Sequence, residues 1–124
     1  MFLADSNIIA YSFLPEYMYL RTILLRENVY ASEISRIEVL GYHKITLEEE
    51  TYFKDIFSII PIISPSQQIF DAALYIRKTY NLKLGDSIIC ATALIHSLSI
   101  YTRNLKDFEK VIIVNCINPI LVSP

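Results

Sequence analysis

The chain has 124 residues, of which 53% are hydrophobic and 19% are charged, and its formal net charge at pH 7 is −2. This length allows one domain with a buried core, and the composition argues against a disordered chain. The small net charge gives no sign of a strongly basic nucleic-acid-binding surface. No apolar run reaches the roughly 18 residues of a membrane helix and no signal peptide is recognisable, so we expect a cytoplasmic protein without membrane attachment.

The first predicted element is a short strand, Phe2-Leu3-Ala4, which is followed by Asp5-Ser6-Asn7 and a short helix. An acid that follows a strand lies at the carboxyl edge of an open α/β sheet, where such folds bind their ligands. Asp5 or Ser6 would serve equally well as a simple N-cap of the helix that follows. The residues by themselves leave both interpretations open.

The next segments, between residues 15 and 32, predict one helix and one strand. Pro15 is tolerated in the first turn of a helix, and the helix is expected to run to about Arg26. Residues 28–32 are expected to form a turn and a short strand.

The third predicted helix begins at a Ser-x-x-Glu capping box formed by Ser35 and Glu38. Its capping role gives Glu38 a purely structural explanation. The apolar pattern of the helix, however, places Glu38 on the face that points to the protein interior; the apolar positions are Ile34, Ile37, Gly41, Tyr42 and Ile45. An inward carboxylate is costly unless it is paired, protonated or bound to a metal ion, so Glu38 is a candidate site residue.

The middle of the chain predicts two more helices and an edge strand. Thr46 and Glu49 form a second capping box, which opens a helix that ends near residue 60. Pro61 confines the strand over residues 60–63 to an edge or to its first residues. A turn then leads into a helix over residues 67–80.

The stretch from Leu84 to Ser97 is apolar or small on every side of a helical wheel from Ile88 onward, which is typical of a buried helix. Its first turn contains Asp86, directly after Gly85. An acid at this place is favoured by the partial positive charge of a helix N-terminus, which would explain Asp86 without any site. A site becomes the better explanation when Asp5 and Glu38 also interrupt the apolar pattern.

The last predicted elements are a strand over residues 98–102, a polar loop with about one helical turn over residues 103–108, and a strand over Val111–Val114. The two cysteines, Cys90 and Cys116, lack the spacing of a metal site. They are expected to be free thiols in a reducing compartment.

Strands and helices alternate along the chain, which predicts one α/β domain over residues 1–124 with a mostly parallel sheet and helices on both faces. In such a fold Asp5, Asp86 and the pair Asn104 and Asp107 fall at one end of the sheet, and Glu38 projects toward it. Several carboxylates held together repel one another, and a divalent cation removes that repulsion. Mg²⁺ or Mn²⁺ with carboxylate ligands activates water for attack on a phosphodiester.

Four segments of the chain resemble the motifs of PIN-domain nucleases, in the same order and with the same spacing. They are Leu3-Ala4-Asp5-Ser6-Asn7, the segment from Ser35 to Gly41 with Glu38 in the acidic place, Gly85-Asp86-Ser87-Ile88-Ile89-Cys90-Ala91-Thr92-Ala93, and Tyr101-Thr102-Arg103-Asn104-Leu105-Lys106-Asp107-Phe108. The last segment matches the Thr-Arg-Asn-x-x-Asp-Phe ending that is typical of VapC-type toxins. The resemblance covers essentially the whole chain and implies a three-layer PIN-like fold.

This resemblance implies a Mg²⁺- or Mn²⁺-dependent endoribonuclease, the toxin of a toxin–antitoxin pair. It implies an RNA substrate, a cognate antitoxin protein whose tail enters the acidic groove, and a homodimer. By the same resemblance Asp5, Glu38 and Asp86 are metal ligands or organise the attacking water.

The remaining site residues are expected to support these acids or to bind substrate. Many PIN domains have a fourth acid where this chain has Asn104, so either Asn104 or Asp107 is expected to complete the catalytic site. Ser6 and Thr102 are expected to hydrogen-bond the acids, and Arg103 and Lys106 to hold substrate phosphates. The predicted catalytic residues are therefore Asp5, Glu38, Asp86, Asn104 and Asp107. The predicted supporting residues are Ser6, Thr102, Arg103 and Lys106.

Two other functions fit parts of the sequence. The neutral Asn104 and the mildly acidic chain fit a catalytically weak PIN-like module that binds RNA or protein. A receiver-like domain that is phosphorylated on Asp5 is the second, although the paired acid and the lysine that such a domain needs are not evident.

Overall fold

The computed structural model describes residues 1–120 and contains five strands and seven α-helices in that range. The strands are β1 (Phe2–Ala4), β2 (Val29–Ser32), β3 (Ile62–Ile63), β4 (Ser99–Tyr101) and β5 (Cys116–Ile117). The helices are α1 (Ser6–Tyr11), α2 (Tyr19–Leu24), α3 (Glu33–Leu40), α4 (Leu47–Ile59), α5 (Gln67–Tyr80), α6 (Leu84–Ile95) and α7 (Leu105–Phe108), with a 3₁₀ turn at Pro15–Tyr17 before α2. None of the helices within residues 1–120 combines the length and apolar character needed to cross a membrane.

The five strands form one parallel sheet with the order β3-β2-β1-β4-β5. The chain builds outward from β1 to β2 and β3, and then crosses over to place β4 on the other side of β1. The strand order therefore reverses between β1 and β4, which is where open α/β sheets bind ligands beyond the carboxyl ends of their strands. Receiver domains have the flavodoxin-like strand order 2-1-3-4-5. The order in this sheet is different, so the receiver-like hypothesis is wrong.

Helices cover both faces of the sheet, which confirms the predicted three-layer α/β architecture. Side chains alternate between the faces of a strand, and in β1 Leu3 enters one core while Ala4 enters the other. Leu3 packs in the first core, which contains residues of α5 and α6. Ala4 packs in the second core, which contains residues of α1, α2 and α4.

Three helices have the starts or the burial that the sequence predicts. In α4 the Thr46 hydroxyl accepts a hydrogen bond from the backbone N–H of Glu49, and the Glu49 carboxylate accepts one from the N–H of Thr46, both at 3.1 Å. Helix α5 occupies the predicted residues, with Ser66 as its N-cap. In α6 every residue from Ser87 to Ala93 is buried, as an all-round apolar helix requires.

Two helix predictions are wrong in detail. The helix expected from Pro15 to Arg26 is a 3₁₀ turn followed by the short helix α2, and no side chain caps either start. Helix α3 begins at Glu33 and not at the predicted capping box, because it follows β2 directly and the Ser32 hydroxyl accepts a hydrogen bond from the N–H of Ile34. Ser35 therefore lies inside the helix.

The last strand is also displaced from its predicted place. Residues Val111–Val114 form a turn in which the N–H of Val114 donates to the carbonyl of Val111, and Val111 and Val114 are buried while Ile112 and Ile113 are exposed. Four apolar residues in a row are compatible with a buried strand and also with a turn whose first and last residues pack on the core. The apolar run by itself therefore could not distinguish the two. The strand is β5, where Cys116 pairs with Ile100 of β4.

Candidate active site

Asp5 lies directly after β1, next to the point where the strand order reverses. Its side chain is 5% exposed and accepts three hydrogen bonds. Oδ1 accepts from the N–H of Ser6 at 2.8 Å, and Oδ2 accepts from Thr102 Oγ1 at 2.9 Å and from Asn7 Nδ2 at 3.2 Å. Asp5 is thus the N-cap of α1, and it is also fixed to the residue that follows β4.

The pKa of Asp5 is raised to about 6, mainly by burial. The hydrogen bonds from Thr102 and Ser6 oppose this rise, and the charges of Asp86 and Glu38 add to it. The pKa of Asp86 is also raised, first by burial and then by Asp107 and Glu38. The charges of Asp86 and Glu38 thus act on Asp5, and those of Asp107 and Glu38 act on Asp86, at the edge of the sheet beyond β1.

Glu38 is exposed, so the prediction that it faces the interior is wrong. The buried face of α3 consists of Ser35 and Val39, because these residues pack toward α1 and the second core. Glu38 lies at the rim of the site, where its Oε1 is 3.0 Å from Ser6 Oγ. The same hydroxyl is 3.0 Å from the buried Ser35 Oγ, and its single proton bonds one of these oxygens at a time.

The close approach of α6 to Glu38 occurs at Gly85. A Cβ atom at Gly85 would lie 3.4 Å from Glu38 Oε1 and 3.5 Å from Glu38 Oε2. Gly85 belongs to α6, which starts one residue earlier at Leu84. The absence of a side chain there leaves the Glu38 carboxylate uncovered on the side of Asp86.

The segment after β4 supplies the remaining predicted site residues. Thr102 is fully buried, and its Oγ1 both donates to Asp5 and accepts from the N–H of Asn104 at 2.9 Å. The Asn104 amide donates from Nδ2 to Asp107 Oδ2 at 2.8 Å. Asp107 is the residue of this pair whose charge acts on Asp86. Lys106 is exposed on α7.

Two clefts open at the site. One has a volume of about 370 Å³ and runs between α1, α3 and α4; its lining includes Ser6, Asn7, Glu38, Tyr42, Glu49 and Phe53. The other has a volume of about 390 Å³ and is lined by Asn7, Tyr11, Arg103 and Asn104. Asn7 belongs to both clefts, so they meet beside Asp5.

Comparison with known proteins gives the family of the chain. Residues 2–113 match the family model described as the PIN domain. The chain belongs to the PIN domain family. No match was found among curated protein sequences.

Solved structures of similar chains include one from a toxin–antitoxin complex. A chain of the toxin–antitoxin complex from Klebsiella pneumoniae is 30% identical with a TM-score of 0.82, and the match covers 98% of this chain and 100% of that one. A chain of FitAcB from Neisseria gonorrhoeae is 23% identical, with a TM-score of 0.80 and coverage of 96% and 98%. A chain of DNA-bound VapBC from Salmonella typhimurium is 19% identical, with a TM-score of 0.80 and coverage of 93% and 95%.

The oxygen donors of this PIN domain fit Mg²⁺ or Mn²⁺, which prefer carboxylates and retain several waters. Among residues 1–120, however, no three His, Cys, Asp or Glu side chains are grouped closely enough to surround an ion. The carboxylates therefore fit a hydrated ion that is held by one or two of them directly, and they do not fit an ion enclosed by protein ligands.

The sequence predicts no role in the site for Asn7, Tyr11 or Ser35, although it predicts Ser35 as a helix cap, and the fold brings all three to the site. Asn7 bonds Asp5 through Nδ2, and its Oδ1 accepts from the N–H of Arg103 at 3.2 Å. Its place in the Asp-Ser-Asn motif is the one signal that pointed to it. Ser35 likewise begins the motif that runs from Ser35 to Gly41, and its contact in the site is with Ser6. Tyr11 carries no such signal, because its contact is with the distant Arg103.

Proposed function

We propose that this chain is a divalent-metal-dependent endoribonuclease of the VapC toxin type, built as a single domain over residues 1–124. The observation that supports this most is the convergence of Asp5, Asp86, Asp107 and Glu38 where the strand order reverses. Fold stability gives no reason to hold four carboxylates together, because their charges repel and the repulsion destabilises the fold. A site that binds a hard cation and a phosphodiester does give such a reason, because the cation offsets the repulsion between the carboxylates.

In this proposal Asp5 and Asp86 hold the metal ion, and Glu38 binds it or orients the attacking water. Thr102, Ser6 and Asn7 fix the Asp5 carboxylate by three hydrogen bonds, so it presents its remaining lone pairs in one orientation. A bound divalent ion would lower the pKa of the attacking water and stabilise charge on the leaving oxygen.

The other side chains are proposed to complete the site and to bind RNA. Asp107 is proposed to add its negative charge to the cation site beside Asp86, whose pKa that charge raises, and Asn104 is proposed to orient Asp107 through the hydrogen bond from its amide. Arg103 and Lys106 are proposed to hold phosphates on either side of the bond that is cut, which balances the negative charge of the acids.

The proposed partners are an antitoxin protein and a second copy of this chain. The Klebsiella chain, which is 30% identical and is matched over its whole length, belongs to a toxin–antitoxin complex, and this supports an antitoxin partner. Cys90 and Cys116 are free, which fits the reducing cytoplasm where we place the activity.

We would test this proposal with a time course of RNA cleavage in Mg²⁺, in Mn²⁺ and in EDTA. The Asp86→Asn variant is expected to lose about 100-fold or more of the wild-type rate, because an amide cannot replace an anionic ligand. Asp55→Asn is the matched control, since Asp55 is exposed on α4 and the charge change is the same.

Cleavage that requires metal and survives only in the wild type and in Asp55→Asn would support the proposed nuclease. Full activity in Asp86→Asn would remove Asp86 from the mechanism. Cleavage that persists in EDTA would contradict a metal-dependent reaction.

A catalytically weak module that binds RNA or protein is the second candidate. Two observations favour it: Asn104 is neutral, and the carboxylates within residues 1–120 do not form a ready set of three ligands. Binding of RNA with no shortening of the substrate after long incubation in Mn²⁺ would support this candidate over the nuclease.

A further inference from the structure

Arg103 is held at the mouth of the site by two side chains from α1. Its guanidinium lies over the ring of Tyr11, with 4.9 Å between Cζ and the ring centroid, and its Nη1 also contacts the Tyr11 hydroxyl. Its backbone N–H donates to Asn7 Oδ1 at 3.2 Å. Arg103 is thus fixed at the backbone and at the end of its side chain.

These contacts hold the charge of Arg103 without neutralising it. In the part of the chain that the structure describes, the salt bridges join Arg36 with Glu33 and Lys54 with Glu50, and Arg103 takes part in neither. An aromatic ring attracts a guanidinium through its quadrupole and leaves the guanidinium N–H donors that point away from the ring open to another ligand.

The ring that holds Arg103 is itself supported. Tyr11 packs edge-on against Tyr17 with 5.1 Å between ring centroids, and it borders the second core. Since Tyr11 cannot move freely, it limits the positions that the long Arg103 side chain can adopt. This reduces the conformational entropy that Arg103 would lose when it binds a ligand.

The cleft of about 390 Å³ that Tyr11, Arg103, Asn7 and Asn104 line opens beside Asp5. A phosphate that lies in this cleft would meet a planar guanidinium, which matches phosphate oxygens with paired donors. The neighbouring acids exclude an uncompensated anion from their own side of the site. The cleft therefore suits the phosphate next to the one that is cut.

We propose that Tyr11 is a positioning residue that holds the Arg103 guanidinium to bind an RNA phosphate in this cleft. The inference rests on the proposed ribonuclease function, and it assigns Tyr11 a role that acts entirely through Arg103. Tyr11 itself need not touch the reacting atoms.

The test is a double-mutant cycle on RNA binding, with a fluorescent single-stranded RNA in low salt and EDTA so that metal-dependent cleavage cannot occur. The variants are Tyr11→Leu, Arg103→Ala and the double variant, with Tyr75→Leu as the matched control because Tyr75 is exposed on α5. Tyr11→Phe is included as a variant that keeps the ring and the packing but removes the hydroxyl. Circular dichroism of each variant checks that it is folded.

We expect Tyr11→Leu to weaken binding about two- to fivefold, the loss typical of an exposed cation–π contact, and Tyr11→Phe to lose less. The double variant should bind no worse than Arg103→Ala alone, because Tyr11 acts through Arg103. Additive losses in the double variant would overturn the proposal, and so would equal losses in Tyr11→Leu and Tyr75→Leu.

Salt dependence tests the phosphate directly. Arg103→Ala should reduce the slope of log K against log salt concentration by about 0.7, the value for one phosphate contact to a single strand. An unchanged slope would overturn the phosphate assignment and would favour an acidic group of a protein partner as the ligand of Arg103.

Kinetics separate this inference from the proposed function. In a cleavage assay with metal, Tyr11→Leu should raise KM and leave kcat within about twofold, since the ring positions a binding residue and not a reacting group. If the wild type binds RNA with this mutational pattern but never cleaves it, the nuclease proposal fails while the role of Tyr11 stands. If the wild type cleaves RNA and kcat falls with KM unchanged in Tyr11→Leu, the role of Tyr11 fails while the nuclease stands.

Discussion

At the scale of the residue, Asp5 shows how one buried side chain joins two parts of the fold. It caps α1 by accepting a hydrogen bond from Ser6 N–H, and it is tied across the sheet to Thr102. The N-cap prediction for Asp5 is confirmed, with Oδ1 bonded at the cap and Oδ2 bonded by Thr102 and Asn7. Its role in a metal site stays a prediction, and the cap is compatible with it. The energetic cost of burying the charged Asp5 carboxylate is reflected in its pKa, which is raised to about 6.

The raised pKa of Asp5 predicts how stability depends on pH in EDTA. The folded protein binds the proton more tightly than the unfolded chain, so this contribution to stability is fully present below about pH 4 and is lost as the pH rises through 6. A shift of about two units corresponds to on the order of 3 kcal/mol in the free energy of unfolding. The raised pKa of Asp86 acts in the same direction.

Urea unfolding at pH 4 and at pH 8 measures this effect. Asp5→Asn should lose less stability than the wild type between the two pH values, because an amide does not titrate. Asp55→Asn serves as the control with an exposed acid and should follow the wild type. Equal losses of stability in Asp5→Asn and in the wild type would show that the titration of Asp5 does not cause the pH dependence.

At the scale of the element, the start of α6 shows a compromise between helix stability and access to the site. Gly85 lies in the first turn of α6, where it weakens the helix relative to alanine. Its missing side chain faces the Glu38 carboxylate, at a distance where an added methyl group would make an ordinary contact. The glycine thus keeps Glu38 open to solvent at the expense of helix propensity.

Gly85→Ala is therefore expected to stabilise the fold by up to about 1 kcal/mol and to reduce cleavage, because the methyl group covers the Glu38 carboxylate. Urea unfolding and the cleavage rate measure the two effects. Raised stability with unchanged cleavage in Gly85→Ala would show that access to Glu38 from the side of Gly85 does not limit the reaction.

Gly41→Ala provides the contrast. A Cβ atom at Gly41 would lie 2.4 Å from the backbone oxygen of Ile37, which no rearrangement of a flexible side chain can relieve. This variant should lose about 1 to 3 kcal/mol of stability, as overpacked sites do.

At the scale of the whole molecule, the sheet order decides where charge collects. The chain as a whole carries only −2, yet acids that are far apart in sequence meet beyond the carboxyl ends of β1 and β4. The two cores on either side of the sheet hold these elements in place. The stability of the whole domain therefore opposes the repulsion between its acids.

A divalent ion that relieves this repulsion should stabilise the whole fold. At a Mn²⁺ concentration about 100 times its Kd, linkage predicts a gain of about 2.7 kcal/mol in the free energy of unfolding and a corresponding rise in Tm. The rise should be larger at pH 8 than at pH 5, because protons compete for Asp5.

Thermal unfolding with and without EDTA measures this gain. Asp86→Asn should lose most of the rise in Tm, and Asp55→Asn should keep it. An equal rise in all three proteins would show that the ion acts by general screening and not at this site.

The amino-acid sequence by itself determined the class of the fold and most of its elements. The apolar α6, the capping box at Thr46 and Glu49 and the bounds of α5 follow from periodicity and local hydrogen bonding, which act over a few residues. The order of four motifs was enough to identify a PIN-like chain, because each motif is itself a short local pattern.

The tertiary structure alone decided which face Glu38 presents, where α3 begins, and that residues 111–114 turn while β5 lies further on. It also brought Tyr11 to Arg103 and Ser35 to Ser6. These outcomes depend on contacts between residues that are far apart in sequence. Periodicity cannot choose between faces or partners when both choices bury a similar apolar area, and packing on the completed sheet makes that choice.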